Sequence, residues 1–230
     1  MRRALLAFAF LAAVGCAPRI TVPEDQRREV SREFEGQRLL LKVAVNAGPF
    51  FADRSKMLIS EQPFGELDLL EDTAGEPIHP PAPERVLPPG TWMRIDKVEF
   101  PTGWTIARRV LLSPRYHPWV YLTLADDQRP YILVLPQTVA SAEDVRAEID
   151  RVLASDDPGA PFRALPDEQR AAVERKVLAE GMGPRGVEMA WGYPDKKKID
   201  KPAGTEEWSW PGGKRRAFFQ DGRLTRWEPK

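Results

Sequence analysis

Cys16 is the only cysteine in a chain of 230 residues. A lone thiol can form no intramolecular disulfide, so its use in an oxidising compartment is as an attachment point. The two histidines, His79 and His117, stand at neither helical nor hairpin spacing, and with no second thiol they compose no zinc or copper site. Ser113, Ser141 and Ser209 lack the glycine context of a nucleophile elbow, and Gly-rich phosphate loops are absent. Glu143 with Asp144, and Glu206 with Glu207, are adjacent carboxylates whose side chains alternate outward or cap, rather than converge as a glycosidase pair. This inventory predicts no enzyme, no metal and no cofactor.

The setting of Cys16 gives it a use. Met1-Arg2-Arg3, an apolar run from Ala4 to Val14, then Gly15-Cys16 match a basic n-region, a short h-region and a cleavage site. The run is far shorter than the ~20 residues of a spanning helix. Ala13-Val14-Gly15-Cys16 resembles the lipobox of bacterial lipoproteins, in which the chain is cut before the cysteine and the thiol is acylated. The resemblance implies lipidation (palmitate-type acyl chains) at Cys16, a partner in the membrane, and, from Ala17 in place of Asp, the outer membrane facing the periplasm. Each buried methylene adds ~0.8 kcal/mol, so several chains anchor permanently.

Loss of Arg2 and Arg3 leaves a slight acidic excess over the initial balance of 34 basic and 34 acidic residues. No basic excess points to nucleic acid. With 42% apolar residues and a mean hydropathy of −0.43, the composition is that of a globular protein with room for one large or two small domains.

Residues 1–15 read as the signal peptide and 16–36, charge-dense around Glu24 to Glu29, as a tether. From Arg38 the run Leu39 to Val45 predicts a strand, and Met57 to Ile59 and Leu67 to Leu70 two more. Six prolines between Pro77 and Pro89 predict an extended connector. Four further strands are expected at Trp92 to Phe100, Thr105 to Leu112, Trp119 to Leu124 and Tyr131 to Leu135. Residues 37–140 therefore read as a β barrel or sandwich, with the strand rhythm of an SH3-like barrel. Ser141 with Asp144 spells a capping box, and Val145, Ile149, Val152 and Leu153 give one apolar face, so 141–164 is a linking helix. A second helix is expected from Pro166 to Glu180, ending at Gly181, with Val173 and Val177 buried.

Residues 165–230 carry the richest pattern. Gly181-Met182, Val187, Trp191-Gly192-Tyr193-Pro194, Gly204-Thr205-Glu206-Glu207-Trp208 and Phe218-Phe219-Gln220-Asp221-Gly222-Arg223-Leu224 resemble the BamE/SmpA-like family of outer-membrane lipoproteins. That resemblance implies two helices on a three-stranded antiparallel sheet and a non-catalytic scaffold or accessory role in envelope assembly, with envelope proteins as partners. The fold class is thus α+β. A binding module, whose β domain grips a peptide or cell-wall component, is the alternative.

Turn chemistry alone predicts a hairpin at Asp221-Gly222. It sets Phe219 opposite Leu224, Phe218 opposite Thr225 and Arg216 opposite Trp227, and a turn at Gly212-Gly213 sets Trp208 opposite Ala217. Trp208, Trp210, Ala217, Phe219 and Leu224 then share the covered face. Phe218 and Trp227, with Arg216 at their rim, share the other, which either packs on the β domain or docks a partner. Lys196, Lys197, Lys198 and Lys201 read as a basic loop, either solvated or placed to meet anionic headgroups.

Overall fold

The computed structural model describes residues 21–157 and 159–229. Cys16, the signal peptide and the lipidation expectation lie outside them. The fold is α+β, with an eight-stranded sheet and a separate four-stranded sheet.

The larger sheet contains β1 (Arg38–Leu41), β2 (Val45–Phe50), β3 (Asp53–Ser60), β4 (Arg85–Leu87), β5 (Trp92–Glu99), β6 (Trp119–Leu124), β7 (Asp127–Val134) and β8 (Leu153–Ala154). Their order is β4-β2-β3-β7-β6-β5-β1-β8. The links 42–44 and 88–91 join strands from opposite halves of this order. Gly90 donates to the Leu41 carbonyl at 2.8 Å and Leu41 to that of Thr91 at 3.0 Å, so the sheet must curl upon itself. Pro83 and its neighbours pack across β2, and the Pro-rich segment contributes only the short edge strand β4, where missing N–H groups are tolerated.

β3 and β7 pair in parallel, and both faces there are covered. Met57, Ile59, Tyr131, Leu133, Val120 and Leu122 face one core, while Leu58, Ile132, Trp119 and Phe50 face another. Helix α1 (Glu24–Phe34) and α3 (Ala142–Val152) close the first core through Val30, Phe34, Val145 and Ile149. The capping box is present: Ser141 accepts the Asp144 N–H, and Asp144 accepts that of Ser141. The 24–34 stretch expected as tether is thus structural. Gln26 Oε1 accepts the Ala142 N–H at 2.8 Å, and Glu33 pairs with Arg146 at 2.8 Å.

Two expected strands are not strands. Within Thr105 to Leu112 the chain instead forms α2 (Gly103–Arg108), because the Thr102 hydroxyl caps it by accepting the Thr105 N–H. Leu67 to Leu70 follow a 3-10 turn at Phe64–Glu66 and lie as a cover, with Leu67 buried in the second core. Neither the eight-stranded sheet nor its topology is the SH3-like barrel suggested by strand rhythm.

After α4 (Gly159–Arg163), α5 (Asp167–Glu174) and α6 (Pro184–Trp191) pack on the sheet β12-β11-β10-β9, formed by β9 (Lys196–Asp200), β10 (Thr205–Ser209), β11 (Arg216–Gln220) and β12 (Arg223–Glu228). α5 ends before the expected Glu180, since Lys176 takes φ 54°, and Val177 is exposed rather than buried. The sheet has four strands rather than three. Lys196, Lys197 and Lys198, expected in a loop, form its edge strand, where lysines discourage further pairing.

The Asp221-Gly222 turn has φ of 50° and 72°, as a type I′ turn requires, and Phe219 does pair with Leu224. The pairing of Trp208 with Ala217 also holds. Beyond Phe219 the register shifts at a bulge: Phe218 pairs with Arg226, Ala217 with Trp227 and Arg216 with Glu228. Thr225 is the extra residue, and its hydroxyl donates to the Phe218 carbonyl at 3.1 Å.

Candidate functional site

The bulge separates the residues expected to make a docking surface. Trp227, now opposite the buried Ala217, packs against the core of Trp208, Trp210 and Phe219. Phe218 stays on the outer face, covered by the Arg226 guanidinium at 3.9 Å and that of Arg216 at 5.1 Å. Arg216 pairs with Glu207, and with Glu228 at 3.6 Å. Lys197 is committed to Glu188 at 2.7 Å and lies 3.8 Å over the Trp208 ring, whereas Lys196, Lys198 and Lys201 are exposed. Phe218 and Trp227 therefore do not share a face, and the lysines lie on an edge strand and the turn after it rather than in one loop.

What the fold builds instead is a cleft of about 850 Å³. Its walls are the end of β3 with the cover segment to Glu71, the loop from Leu111 to His117, the end of β7, and Glu148 and Arg151 of α3. Only Asp195 and Pro211 come from the carboxy-terminal body.

His117 is buried on its floor, with Nδ1 2.8 Å from the Leu135 carbonyl. Burial, and the nearby Arg109 charge, hold its pKa below the usual imidazole value. The Leu135 contact ties the His117 loop to the end of β7. Ser113 donates to the Val110 carbonyl at 2.7 Å. Arg109, also buried, donates to Glu99 at 3.0 Å and to the Arg115 and His117 carbonyls at 2.7 Å, with its guanidinium 3.6 Å from the centre of the Trp119 ring. These groups fix the wall and offer no nucleophile paired with a base. His79 is exposed and contacts the Leu67 carbonyl at 3.1 Å. Among the described residues no group of three or more His, Cys, Asp or Glu is placed to hold a metal, and no helix is long and apolar enough to cross a membrane.

Among the charged groups of the lining, the carboxylates of Glu61, Glu66, Asp68, Glu71, Glu148 and Asp195 outnumber the guanidinium groups of Arg115 and Arg151. Two of the carboxylates are tied down. Glu61 accepts from Arg151 Nε at 2.5 Å, and Glu66 from Arg215 Nε at 3.2 Å. Burial raises the Glu148 pKa above the usual carboxylate value, against the pull of Arg151, and Glu61 and Asp144 push in the same direction as burial. Asp68 and Glu71 are exposed at the rim.

One of these pairs, Glu66 with Arg215, joins the two bodies, whereas Glu61 and Arg151 both belong to the eight-stranded body. Arg215 is buried, lies near the Trp191 and Trp210 rings at 5.2 and 5.6 Å, and donates to the Trp191 carbonyl at 3.4 Å. Arg151 also donates to the Tyr193 carbonyl at 3.2 Å. Lys176 Nζ donates to the carbonyls of Ala44 and Ala190 at 2.6 and 2.8 Å, and the Ala44 N–H to that of Met189 at 2.7 Å. Burial lowers the Lys176 pKa to about 7.

This junction is not spelled out in the sequence. One signal was present: strand alternation sets Arg215 inward with Trp210 and Ala217, and an inward charge calls for a buried partner. Nothing local points to Glu66 as that partner.

Compared with known proteins, the chain matches no family model, no curated protein and no solved structure.

Proposed function

We propose that the protein is a non-catalytic lipoprotein of the outer membrane, anchored through Cys16 and facing the periplasm, that serves as a scaffold or accessory subunit by docking envelope proteins. The observation that supports it is the cleft: an open groove with an acidic rim, whose walls are braced by the Glu61–Arg151 pair within the eight-stranded body and by the buried Glu66–Arg215 pair between the two bodies. Bracing keeps the groove preformed, and a preformed site binds without the cost of ordering its walls. The free carboxylates of Asp68 and Glu71 suit a basic or amine-bearing segment of the partner. The BamE/SmpA-like pattern and the lipobox add the envelope setting. The packing of α5 and α6 on an antiparallel sheet is compatible with the first, though the fourth strand departs from it.

A second reading has one observation in its favour. Nearly the whole lining belongs to the eight-stranded body, as expected if that body alone grips a peptide or a cell-wall stem peptide. Both readings are tested by affinity purification of the acylated chain from detergent-solubilised envelopes, beside an Asp68→Lys, Glu71→Lys variant whose exposed positions leave folding intact. Loss of specific co-purified proteins supports the scaffold. Retained proteins with lost binding to soluble stem peptide support the second reading, and no change in either assay refutes both.

A further inference from the structure

Four large apolar side chains crowd one corner of the eight-stranded body: Trp104 is 73% exposed, Val110 43%, Leu111 75% and Leu112 55%. The backbone that carries them is pinned. Thr102 caps α2, Arg115 Nε and Nη2 donate to the Ile106 carbonyl at 3.0 and 2.6 Å, and the Ala52 N–H donates to that of Leu112 at 3.3 Å. Side chains held outward by a fixed loop are a displayed surface. Within the segment itself no acidic residue occurs between Thr102 and Tyr116, and Arg108 is exposed with its guanidinium 5.8 Å from the Trp104 ring; the acidic cleft begins on the other side of Leu111.

The position of this corner names its occupant. Thr21 and Val22 line a small pocket with Phe100 and Pro101, directly before the Thr102 cap. The described chain therefore emerges beside the apolar loop. Cys16 is five residues earlier in sequence, a reach of at most about 18 Å fully extended. An acyl chain on Cys16 holds this corner close to a bilayer.

We infer that the Trp104 to Leu112 loop is a second membrane contact, which inserts its tryptophan and leucines at the interface while Arg108 meets anionic headgroups. Trp, Leu and Arg are the residues that favour this boundary, and cations near it gain from anionic lipid. Such a contact fixes the orientation of the body on the membrane, which attachment at a single point does not. The anchor's proximity rests on the lipoprotein reading of Cys16, whereas the test below does not use the anchor.

The test takes the chain from Ala17 to Lys230, which keeps every described residue and has no cysteine. Leu111→Cys, labelled with an environment-sensitive fluorophore, is mixed with vesicles of phosphatidylethanolamine and phosphatidylglycerol. A blue shift at position 111, none at a labelled Glu168→Cys, and weaker binding to phosphatidylcholine alone are expected. A Trp104→Ser, Leu111→Ser, Leu112→Ser variant should bind these vesicles about tenfold more weakly or worse, with an unchanged melting midpoint, since all three side chains are exposed. An unshifted probe, or a variant that binds as well as the parent, overturns the inference. A probe that shifts with purified envelope proteins but not with lipid overturns it too, in favour of a protein partner. Absence of acyl label on Cys16 would refute the lipoprotein reading while leaving a positive vesicle result standing.

Discussion

Removing the carboxylate of Glu66 should weaken the junction between the two bodies more than most surface changes could. Its side chain is 8% exposed and that of Arg215 is 5% exposed, so the pair has been taken almost wholly out of water. With Glu66→Ala, Arg215 keeps the Trp191 carbonyl at 3.4 Å and its two indole neighbours, and one of its nitrogens, Nη2, is already without a partner. Stranding a buried charge in this way costs about 3 to 5 kcal/mol. At a urea m-value of about 2 to 3 kcal/mol/M, the midpoint should fall by about 1 to 2.5 M. Arg215→Leu should be comparably harmful, because it strands Glu66. The double variant Glu66→Ala, Arg215→Leu should be more stable than either single one, since no charge is then left unpaired. Tryptophan fluorescence weights Trp191, Trp208 and Trp210 of the carboxy-terminal body, and far-ultraviolet dichroism reports both bodies. The two curves should coincide for the parent chain and separate for Glu66→Ala. Losses below about 1 kcal/mol for both single variants, with additive effects in the double, would refute the ion pair as the brace of the junction.

Other substitutions probe the remaining contacts. Gly192 has φ of 80°, and a Cβ there would meet Glu61 Oε2 at 2.5 Å; Gly192→Ala should cost about 2 to 4 kcal/mol, read as a lowered urea midpoint. Lys176, with its pKa lowered to about 7, is more protonated in the unfolded chain at pH values between 7 and its ordinary 10.5. Stability relative to Lys176→Met should therefore rise with pH across that window, by at most about 1.4 kcal/mol per unit, and a flat difference from pH 7 to 10 would contradict the lowered pKa of the buried amine. Trp208→Ala should cost about 3 kcal/mol or more and Trp227→Ala less, because Trp227 is only half-buried at the edge of the same core; equal losses by denaturation would place both fully inside it.

Local chemistry was legible in the sequence wherever one segment decides the outcome. Ser141 with Asp144 spelled the start of α3, Asp221-Gly222 spelled the last hairpin, and alternation around Trp208, Phe219 and Leu224 gave the covered face. The errors came where distant segments compete. Ile106 looked like part of a strand because its apolar neighbours are numerous, but the Thr102 cap turned the segment into a helix and left Leu111 and Leu112 outside. One extra residue, Thr225, moved Trp227 from the outer face to the core side, since side-chain period in a strand is two. The acidic cleft was invisible for a related reason. Glu61, Glu66, Glu148 and Asp195 are scattered along the sequence and meet only because β3 pairs in parallel with β7 and the carboxy-terminal body packs against its end.

Docking of an envelope partner in this cleft can be read out by photo-crosslinking in living cells. A photoreactive amino acid replaces Leu69 or Gln137 in the cleft wall, with exposed Glu168 on α5 as the comparison position. A discrete covalent adduct from both cleft positions, absent at Glu168 and reduced by Asp68→Lys with Glu71→Lys, is the predicted result. Adducts that form equally at all three positions, or at Glu168 alone, would contradict it.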